Sequence, residues 1–336
     1  MFARGRHAIW HSVRALELRP DAVVLVPAYH CGTEVEALLR AGVGCRFYEA
    51  TDSLAPDEDE LAELLDERVA ALYLIHYLGF PQDVLRWRRW CDVHGLLLIE
   101  DAAQGWFGTI DGRPLGSFGD LSIFTFYKTL GVPDGAAVLA RNGFAQPARR
   151  GALRLGTVGI RHAEWLLSRS ALLTGLEDGL RAELQRVHRE VDPAMSSYVL
   201  GDPDSPPART TRFLLPRLVD PALAERRRAN YEQLLAQFGD AVAKPFARVS
   251  KGACPWAFMI DTKDKQGFME RLLRHRIRAL DFWSEPHPSL PAERFPQAGS
   301  LRSRLVGLPV HQELRDRDLA RLGPAVSDAL RQGRRA

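Results

Sequence analysis

Lys128 is the residue of this sequence whose type most directly suggests covalent chemistry. Five of the 45 basic residues are lysine, and the others are arginine. Lys128 is the only lysine among the first 243 residues. A chain that uses arginine almost everywhere can be expected to keep lysine where it needs an amine that loses its proton, although chance retention is the competing interpretation. Lys128 is therefore the first candidate for a nucleophilic amine.

Polar residues follow three apolar runs that have the length of strands. Residues 121–127 lead into Lys128, residues 95–100 lead into Asp101-Ala102-Ala103-Gln104, and residues 71–75 lead into His76. Ligands of open α/β sheets bind outside the carboxyl ends of the strands. We therefore expect these side chains to meet at one edge of a sheet.

A carboxylate and a lysine at one sheet edge match the needs of pyridoxal 5'-phosphate (PLP). PLP withdraws electrons only while its ring nitrogen is protonated, so a carboxylate such as Asp101 must lie beside that nitrogen. A lysine must bind the cofactor covalently and later move a proton, which Lys128 can do. The sequence therefore predicts Asp101 and Lys128 as catalytic residues.

Further residues are candidates for holding the rest of the cofactor and a substrate. The phosphate needs backbone N–H donors at a helix start and a hydroxyl group. Gly5 and Arg6 open a helical segment, and Thr125 lies three residues before Lys128. The remaining candidates are Tyr29, His30 and Cys31 for covering the ring face, His76 and Gln104 at strand ends, and Trp283 and His287 for a substrate pocket.

The pattern of the first 140 residues predicts the α/β fold class. Strand-like runs at residues 22–27, 45–48, 70–76, 95–100, 121–126 and 136–140 alternate with helical patterns at 34–40, 57–66 and 83–94. The runs are short and alternate little, as is typical of parallel strands buried on both faces. Residues 161–191 are predicted to form one or two helices.

A proline-rich stretch at residues 202–207 is the candidate domain boundary. We expect a large α/β domain over residues 1–207 and a small α+β domain over residues 208–336. The small domain is predicted to contain helices at 221–238 and 266–275 and strands at 256–261 and 278–283. These segments show the helical and alternating periodicities that favour such elements.

Composition excludes several other classes. The net charge is +3, and the sequence contains no basic module that would bind nucleic acid. The mixed basic and aromatic residues 86–90 fit a solvated helix face. The four cysteines are widely spaced and form no metal or disulfide pattern. Apolar runs are shorter than a membrane span of about 20 residues. We expect a soluble, cytoplasmic enzyme with no metal, membrane or nucleic-acid partner.

The chain resembles the DegT/StrS-type family of PLP-dependent sugar aminotransferases. The resemblance rests on the central block, residues 100–135, which includes Glu100-Asp101-Ala102-Ala103-Gln104, Gly116-Ser117-Phe118-Gly119-Asp120, Phe124-Thr125-Phe126-Tyr127-Lys128 and Pro133-Asp134-Gly135. Outside the block it rests on Val26-Pro27-Ala28-Tyr29, His76-Tyr77-Leu78-Gly79, Arg226-Arg227-Arg228-Ala229-Asn230-Tyr231 and Leu308-Pro309-Val310-His311.

The resemblance implies the type I PLP-dependent transferase fold, with a mainly parallel seven-stranded sheet in the large domain, and a homodimer. It makes Lys128 the Schiff-base lysine and Asp101 the partner of the ring nitrogen. It places Gln104 near the ring hydroxyl, Thr125 at the phosphate, and Gly5 and Arg6 at the start of the phosphate-binding helix. Cys31 stands where the family often has an aromatic residue that stacks on the cofactor.

The resemblance implies transfer of an amino group from an amino-acid donor, with glutamate expected, to a keto or aldehyde acceptor such as a keto-sugar or another polysaccharide or natural-product precursor. Two alternatives stay open at this point. One is another PLP reaction, such as elimination, dehydration or decarboxylation, and the other is a non-catalytic PLP-fold binding protein. A nicotinamide-dependent dehydrogenase is disfavoured because no GxGxxG motif follows the early strands.

Overall fold

The computed structural model describes residues 1–143 and 198–333. The strands over these residues are β1 (Val23–Pro27), β2 (Gly44–Tyr48), β3 (Val69–Ile75), β4 (Leu97–Asp101), β5 (Thr109–Ile110), β6 (Arg113–Pro114), β7 (Leu121–Thr125), β8 (Ala136–Ala140), β9 (Ala257–Asp261), β10 (Leu280–Asp281) and β11 (Leu305–Pro309). The α-helices are α1 (Gly5–Arg14), α2 (Thr33–Arg40), α3 (Glu58–Glu63), α4 (Val84–His94), α5 (Arg209–Leu218), α6 (Leu223–Phe238), α7 (Lys265–Arg274), α8 (Pro296–Arg304) and α9 (Asp316–Gly333).

The central sheet has the order β2-β1-β3-β4-β7-β8. All of its pairs are parallel except β7 with β8, which run antiparallel at one edge. The predicted mainly parallel α/β sheet is therefore confirmed. The described residues supply six strands to it, one fewer than the seven that we expected.

Apolar side chains cover the central sheet on both faces. On β3, Leu72 and Leu74 join the cluster under α3 and α4, while Ala71, Tyr73 and Ile75 join the cluster on the other face. This arrangement follows from the two-residue period of a strand. It explains why the strand sequences are apolar throughout and do not alternate with polar residues.

Two helices in the first part of the chain begin at acidic capping residues. The Asp57 side chain accepts hydrogen bonds from the backbone N–H groups of Asp59 and Glu60 at the start of α3, and Asp83 accepts one from Arg86 at the start of α4. Such caps satisfy N–H groups that have no partner within the helix.

The sequence predictions were wrong at three points. The helix predicted over residues 57–66 ends at Glu63, and the strand predicted over 278–283 shrinks to Leu280–Asp281. The aromatic members of the predicted solvated face on α4 are core residues, because Trp87 and Trp90 are buried against the sheet. The helices predicted over residues 161–191 lie outside the described residues.

A second sheet forms in the C-terminal part of the chain. Its strand order is β10-β11-β9, with both pairs antiparallel. Helices α7 and α9 pack together beside it. The division between residues 207 and 208 into two domains stays a prediction.

Candidate active site

A cleft opens at the carboxyl ends of β4 and β7. The space within the cleft and at its mouth, part of which is open solvent, is about 520 Å³. Its lining brings together several of the predicted site residues, namely Gly5, Arg6, Cys31, Asp101, Gln104, Thr125, Lys128 and Trp283. These residues are far apart in the sequence, and the sheet topology places them around one cavity.

Asp101 is the last residue of β4 and lies at the bottom of the cleft with 9% of its surface exposed. Its Oδ1 accepts a hydrogen bond of 2.8 Å from the backbone N–H of Ala103. Its Oδ2 accepts a hydrogen bond of 2.7 Å from the hydroxyl of Tyr73 on β3. Two donors thus fix the carboxylate, and one of them, Tyr73, was not among the predicted site residues.

Lys128 lies in the turn that follows β7, and it is half-buried. Trp256 holds the backbone of this turn, because its indole Nε1–H donates to the Lys128 carbonyl at 2.5 Å. Burial alone would lower the pKa of Lys128, but the acidic groups around it, Tyr127, Cys31 and Asp101 among them, outweigh burial and raise it. The amine therefore keeps its proton in the free protein.

The residue after Lys128 is fixed from the C-terminal part of the chain. The Thr129 carbonyl accepts hydrogen bonds from Arg227 on α6 at 3.1 Å and from Gln312 at 3.2 Å. Arg227 is 2% exposed and also donates to the Pro255 carbonyl. The backbone around Lys128 is therefore held by side chains that come from three separate segments.

The start of α1 faces the cleft beside Thr125. Backbone pairing of Phe2 with Ala136 on β8, with N–O distances of 2.8 and 2.7 Å, sets the position of this segment. The N-cap residue Arg4 makes no capping hydrogen bond with its side chain. A Cβ atom on Gly5 would lie 2.9 Å from Thr125 Cγ2, so glycine permits this close approach. The helix N-terminus has the charge and the N–H groups that suit an anion.

Glu34 is a cleft carboxylate that sequence reasoning missed. It lines the cavity with Cys31 and Thr33, is 4% exposed, and accepts a 2.8 Å hydrogen bond from the Cys31 backbone N–H. Burial, followed by the negative charge of Asp101, raises the pKa of Glu34. Burial also raises the pKa of the Cys31 thiol, together with the charge of Glu34. The only feature of the sequence that could have pointed to Glu34 is its position as an acidic residue in the first turn of a helix.

Gln104 lines the cleft and is held at its carbonyl end. Its Oε1 accepts a 2.7 Å hydrogen bond from the backbone N–H of Leu78, which has a positive φ of 54°. A positive φ is uncommon for leucine. The hydrogen bond from Leu78 to Gln104 ties the loop after β3 to the loop after β4. Thr125 is also engaged, since its hydroxyl donates to the Ala103 carbonyl at 2.6 Å.

Tyr29 and His30, which were predicted to cover the cofactor ring, do not reach the cleft. Both are fully buried and absent from the cleft lining. The Tyr29 ring packs on Tyr77, and the His30 ring stacks on Phe47 with centroids 5.5 Å apart. Burial lowers the pKa of His30 to about 3. Of the three candidates for the ring face, only Cys31 reaches the cleft.

His76, which was predicted to bind the cofactor, does not line the cleft, and its ring is fully buried. Its Nδ1 accepts from the Gln82 backbone N–H, so the proton is on Nε2, which donates to Glu100 Oε1 at 2.9 Å. Glu100 also accepts from the backbone N–H groups of Gly116, Phe118 and Gly119. Burial alone would raise the pKa of Glu100, but these hydrogen bonds outweigh it and lower the pKa. His76 thus supports the loop at residues 116–119.

His287 does not line the cleft either, whereas Trp283 does. The Ser289 backbone N–H donates to His287 Nδ1, and the other ring nitrogen lies 3.3 Å from Glu36 Oε2. His287 is therefore part of a buried polar contact between α2 and the C-terminal part of the chain.

No group of three or more residues able to hold a metal ion occurs within the described ranges. Nor do these ranges contain a helix that is long and apolar enough to cross a membrane.

Sequence comparison confirms the resemblance for the first half of the chain. Residues 2–164 match the DegT/DnrJ/EryC1/StrS aminotransferase family. A UDP-N-acetyl-3-dehydro-alpha-D-glucosamine 3-aminotransferase of Acidithiobacillus ferrooxidans is 32% identical over 153 residues, which are 44% of this chain and 42% of that protein. The GDP-perosamine synthase of Vibrio cholerae is 28% identical over 143 residues, 42% of this chain and 39% of that protein. The matched segment thus spans about two fifths of these relatives.

Structural comparison establishes the fold. An aminotransferase involved in pseudoaminic acid biosynthesis, PseC of Helicobacter pylori, superposes with a TM-score of 0.69 at 16% identity, covering 98% of this chain and 86% of that one. The DesV protein of S. venezuelae superposes with a TM-score of 0.67 at 20% identity, covering 98% and 84%. The predicted type I PLP-dependent transferase fold is therefore confirmed.

Proposed function

We propose that this chain, whose first half matches the DegT/DnrJ/EryC1/StrS aminotransferases and whose fold is theirs, is a PLP-dependent aminotransferase. The observation that carries the proposal is one cleft that holds Asp101, Lys128 and the N-terminus of α1. The expected donor is an amino acid such as glutamate. The expected acceptor is a keto-sugar, the class of compound in the names of the relatives.

The cleft residues fit the cofactor in chemistry and shape. The start of α1 offers N–H donors for a phosphate, and Gly5 leaves room beside Thr125 that a Cβ would fill. Asp101 presents a carboxylate that two donors already orient, which suits a protonated ring nitrogen. Lys128 offers the primary amine. When bound, PLP would withdraw the electrons that are left on the substrate's α-carbon when its proton departs.

Lys128 is proposed to hold the cofactor and to move the proton at the substrate carbon. Its Nζ must lose a proton before it can attack a carbonyl or act as a base. Because the pKa of Lys128 is raised, this loss is harder at a given pH than for an ordinary lysine, and an increase in pH favours it. The Trp256 indole fixes the backbone carbonyl of Lys128, so the amine moves on a rigid support.

The other lining residues are proposed to orient the cofactor and the acceptor. Gln104, with its oxygen committed to Leu78, would direct its amide N–H groups toward the cleft and a ring hydroxyl. Trp283 would form the wall for the acceptor, since its indole lines the cleft and packs against Tyr29 at 5.3 Å. Cys31 would lie against the cofactor ring.

We further propose a homodimer in the cytoplasm, in keeping with the family resemblance. Size-exclusion chromatography with light scattering tests the dimer directly. A monomer that is fully active would contradict it.

The experiment that tests the function is absorbance spectroscopy of the purified protein with PLP. We expect a visible absorption band that borohydride fixes onto the peptide that contains Lys128. Lys128→Ala should lose the band and all turnover. Lys244→Ala should keep both, because Lys244 is exposed and pairs with Asp52 at the surface. A wild-type protein that shows no band with added PLP would overturn the proposal.

The same band separates transamination from the alternatives. Glutamate should convert it to the spectrum of the amine form of the cofactor and release 2-oxoglutarate. A band that glutamate and other amino donors leave unchanged would indicate a binding protein. Release of carbon dioxide or water without an amine acceptor would indicate a different PLP reaction.

A further inference from the structure

Tyr73 lies outside the lining of the cleft but contacts one of its residues, Asp101. Its hydroxyl donates a 2.7 Å hydrogen bond to Asp101 Oδ2. Tyr73 lies in the middle of β3, and Asp101 is the last residue of the neighbouring strand β4. The phenol therefore reaches along the sheet toward the carboxyl edge and ends at the residue proposed to face the cofactor.

The Tyr73 side chain has little freedom to leave Asp101. It is fully buried, and its backbone carbonyl accepts a hydrogen bond of 3.0 Å from the Tyr48 hydroxyl. The other Asp101 oxygen is held by the Ala103 N–H. The carboxylate thus has one fixed donor on each oxygen. A carboxylate has about four lone-pair sites, so sites remain for a further donor from the cleft.

Tyr73 acts only as a donor in this contact. Burial, followed by the charge of Asp101, raises the pKa of Tyr73 well above its ordinary value. The hydroxyl proton therefore stays on Tyr73 over the pH range in which an enzyme works. With that proton fixed, the hydroxyl can donate to Asp101 Oδ2 but cannot give up its proton to it.

A buried carboxylate beside a protonated ring nitrogen needs this kind of support. In a site of low dielectric constant, the two charges can cancel when the proton moves from nitrogen to oxygen. The ring would then lose the positive charge on which its electron withdrawal depends. Hydrogen bonds donated to the carboxylate oppose this transfer, since they stabilise the anion.

We propose that Tyr73 is a positioning residue that orients Asp101 and keeps it an anion facing the ring nitrogen of the cofactor. The inference rests on the proposed function, because it needs PLP in the cleft. Tyr73, on β3, would thus act on the cofactor without touching it, through Asp101.

Tyr73→Phe tests the proposal, with Tyr77→Phe as the matched control. Tyr77 is also buried, and its hydroxyl donates a 2.8 Å hydrogen bond to the Tyr29 carbonyl, away from Asp101. We expect Tyr73→Phe to lower kcat for conversion of the bound cofactor by glutamate about ten-fold, the effect of one hydrogen bond to a charged group. KM should stay within about two-fold, and Tyr77→Phe should change neither constant.

Cofactor affinity supplies a readout that does not depend on turnover. PLP and its analogue without the ring nitrogen, 1-deaza-PLP, are titrated into the cofactor-free proteins. Tyr73→Phe should weaken PLP binding several-fold and leave 1-deaza-PLP binding unchanged, since the analogue has no nitrogen for Asp101 to contact. Tyr73→Met is measured in parallel, so that the result does not depend on the folding of one variant.

The outcomes separate this inference from the proposed function. If wild-type protein binds PLP, Asp101→Asn cripples turnover, and the two tyrosine variants behave alike, then Tyr73 has no positioning role. Equal loss of affinity for PLP and the analogue would show a general structural effect and would also overturn the inference. If wild-type protein fails to bind PLP, the proposed function itself has failed.

Discussion

The two carboxylates of the cleft, Asp101 and Glu34, differ in how their charge is supported. Asp101 has a donor on each oxygen, including a hydroxyl fixed by burial. Glu34 accepts from the Cys31 N–H at 2.8 Å and has only a long contact of 3.4 Å from the Thr33 hydroxyl. Burial and the charge of Asp101 raise the pKa of Glu34, and the attraction of Lys128 does not outweigh them. Ionised Glu34 therefore costs stability.

Glu34→Gln should stabilise the protein at alkaline pH. Because the pKa of Glu34 is raised in the folded state, its favourable contribution is complete below its ordinary pKa and is lost as the pH rises through the raised value. Glutamine keeps the acceptor for Cys31 without the charge. We expect the melting temperature of the variant to exceed that of wild type by about 2–4 °C at pH 8.

The test of Glu34→Gln is thermal unfolding at pH 5 and pH 8. The difference between variant and wild type should shrink as the pH falls from 8 to 5, because the raised pKa lets folded Glu34 take up its proton more readily than the unfolded chain does. Glu63→Gln is the control, since Glu63 is an exposed glutamate at the end of α3 and should show no such pH dependence. A variant that is less stable than wild type at pH 8 would mean that the Glu34 charge is stabilising.

Asp101 and Lys128 were expected at one edge because strand ends in a parallel sheet share an edge, and both line the cleft. Their catalytic roles stay a prediction. His76 does not line this cleft, because the end of a strand does not determine the side to which the next side chain points. Glu100 and Gln82 take both of its ring nitrogens. The sequence did not indicate a role for Tyr73 in the site, because a tyrosine within an apolar strand is expected to be an ordinary core residue.

At the scale of elements, the placement of α1 against β7 decides whether an anion can be held. The helix begins at Gly5, directly beside Thr125, the last residue of β7. A Cβ at Gly5 would stand 2.9 Å from the Thr125 methyl group, closer than carbon atoms can pack. The pairing of Phe2 with Ala136 prevents the segment from moving away freely.

Gly5→Ala should displace the start of α1 and weaken the binding of PLP about ten-fold, or ~1.4 kcal/mol. Thr125→Ser keeps the hydroxyl that donates to Ala103 and removes the clashing methyl group. The double variant should therefore recover most of the affinity. Titration of PLP into the cofactor-free variants, followed by absorbance, measures the effect.

Gly299→Ala is the control for Gly5→Ala, because nothing lies within 4 Å of a Cβ at Gly299 in α8. Its affinity for PLP should match that of wild type. If the double variant binds no better than Gly5→Ala alone, the contact with Thr125 is not what requires glycine at this position.

Elements with long apolar runs could be predicted from the sequence. Elements that are short, or that form only through contacts with distant parts of the chain, could not. Strands β1, β3, β4, β7 and β8 coincide with predicted runs to within two residues at either end. Strand β10 has two residues and depends on pairing with β11, which local periodicity cannot show. Helix α5 contains Pro216 and has one fully buried residue, Thr211, so it gives little periodic signal.

At the scale of the whole molecule, buried arginines join the C-terminal part of the chain to the cleft. Arg227 on α6 donates to the carbonyl of Thr129, next to Lys128. Arg302 on α8 is 5% exposed and donates to the carbonyls of Ala28 and His30, at 2.8 and 3.1 Å. Among so many arginines, the sequence could not indicate which ones are buried in this way.

Arg302 also donates to the carbonyls of Trp283 and Glu285, at 2.7 and 3.3 Å. One guanidinium group thus joins the loop after β1, which carries Cys31, to the segment that carries Trp283. Both Cys31 and Trp283 line the cleft. The shape of the cleft therefore depends on a contact between distant parts of the chain. A lysine ammonium has three donors on one nitrogen and cannot span four carbonyls as a planar guanidinium does.

We expect Arg302→Lys to lower the free energy of unfolding by about 2–4 kcal/mol, since it leaves buried carbonyls without donors. Arg304→Lys, on the same helix, is the matched control. Arg304 forms a partly exposed ion pair with Asp261, so its replacement should cost less than about 1 kcal/mol. Urea denaturation of both variants measures the difference, and PLP titration should show weaker binding for Arg302→Lys alone. Equal effects of the two substitutions would mean that Arg302 does not join the two sides of the cleft.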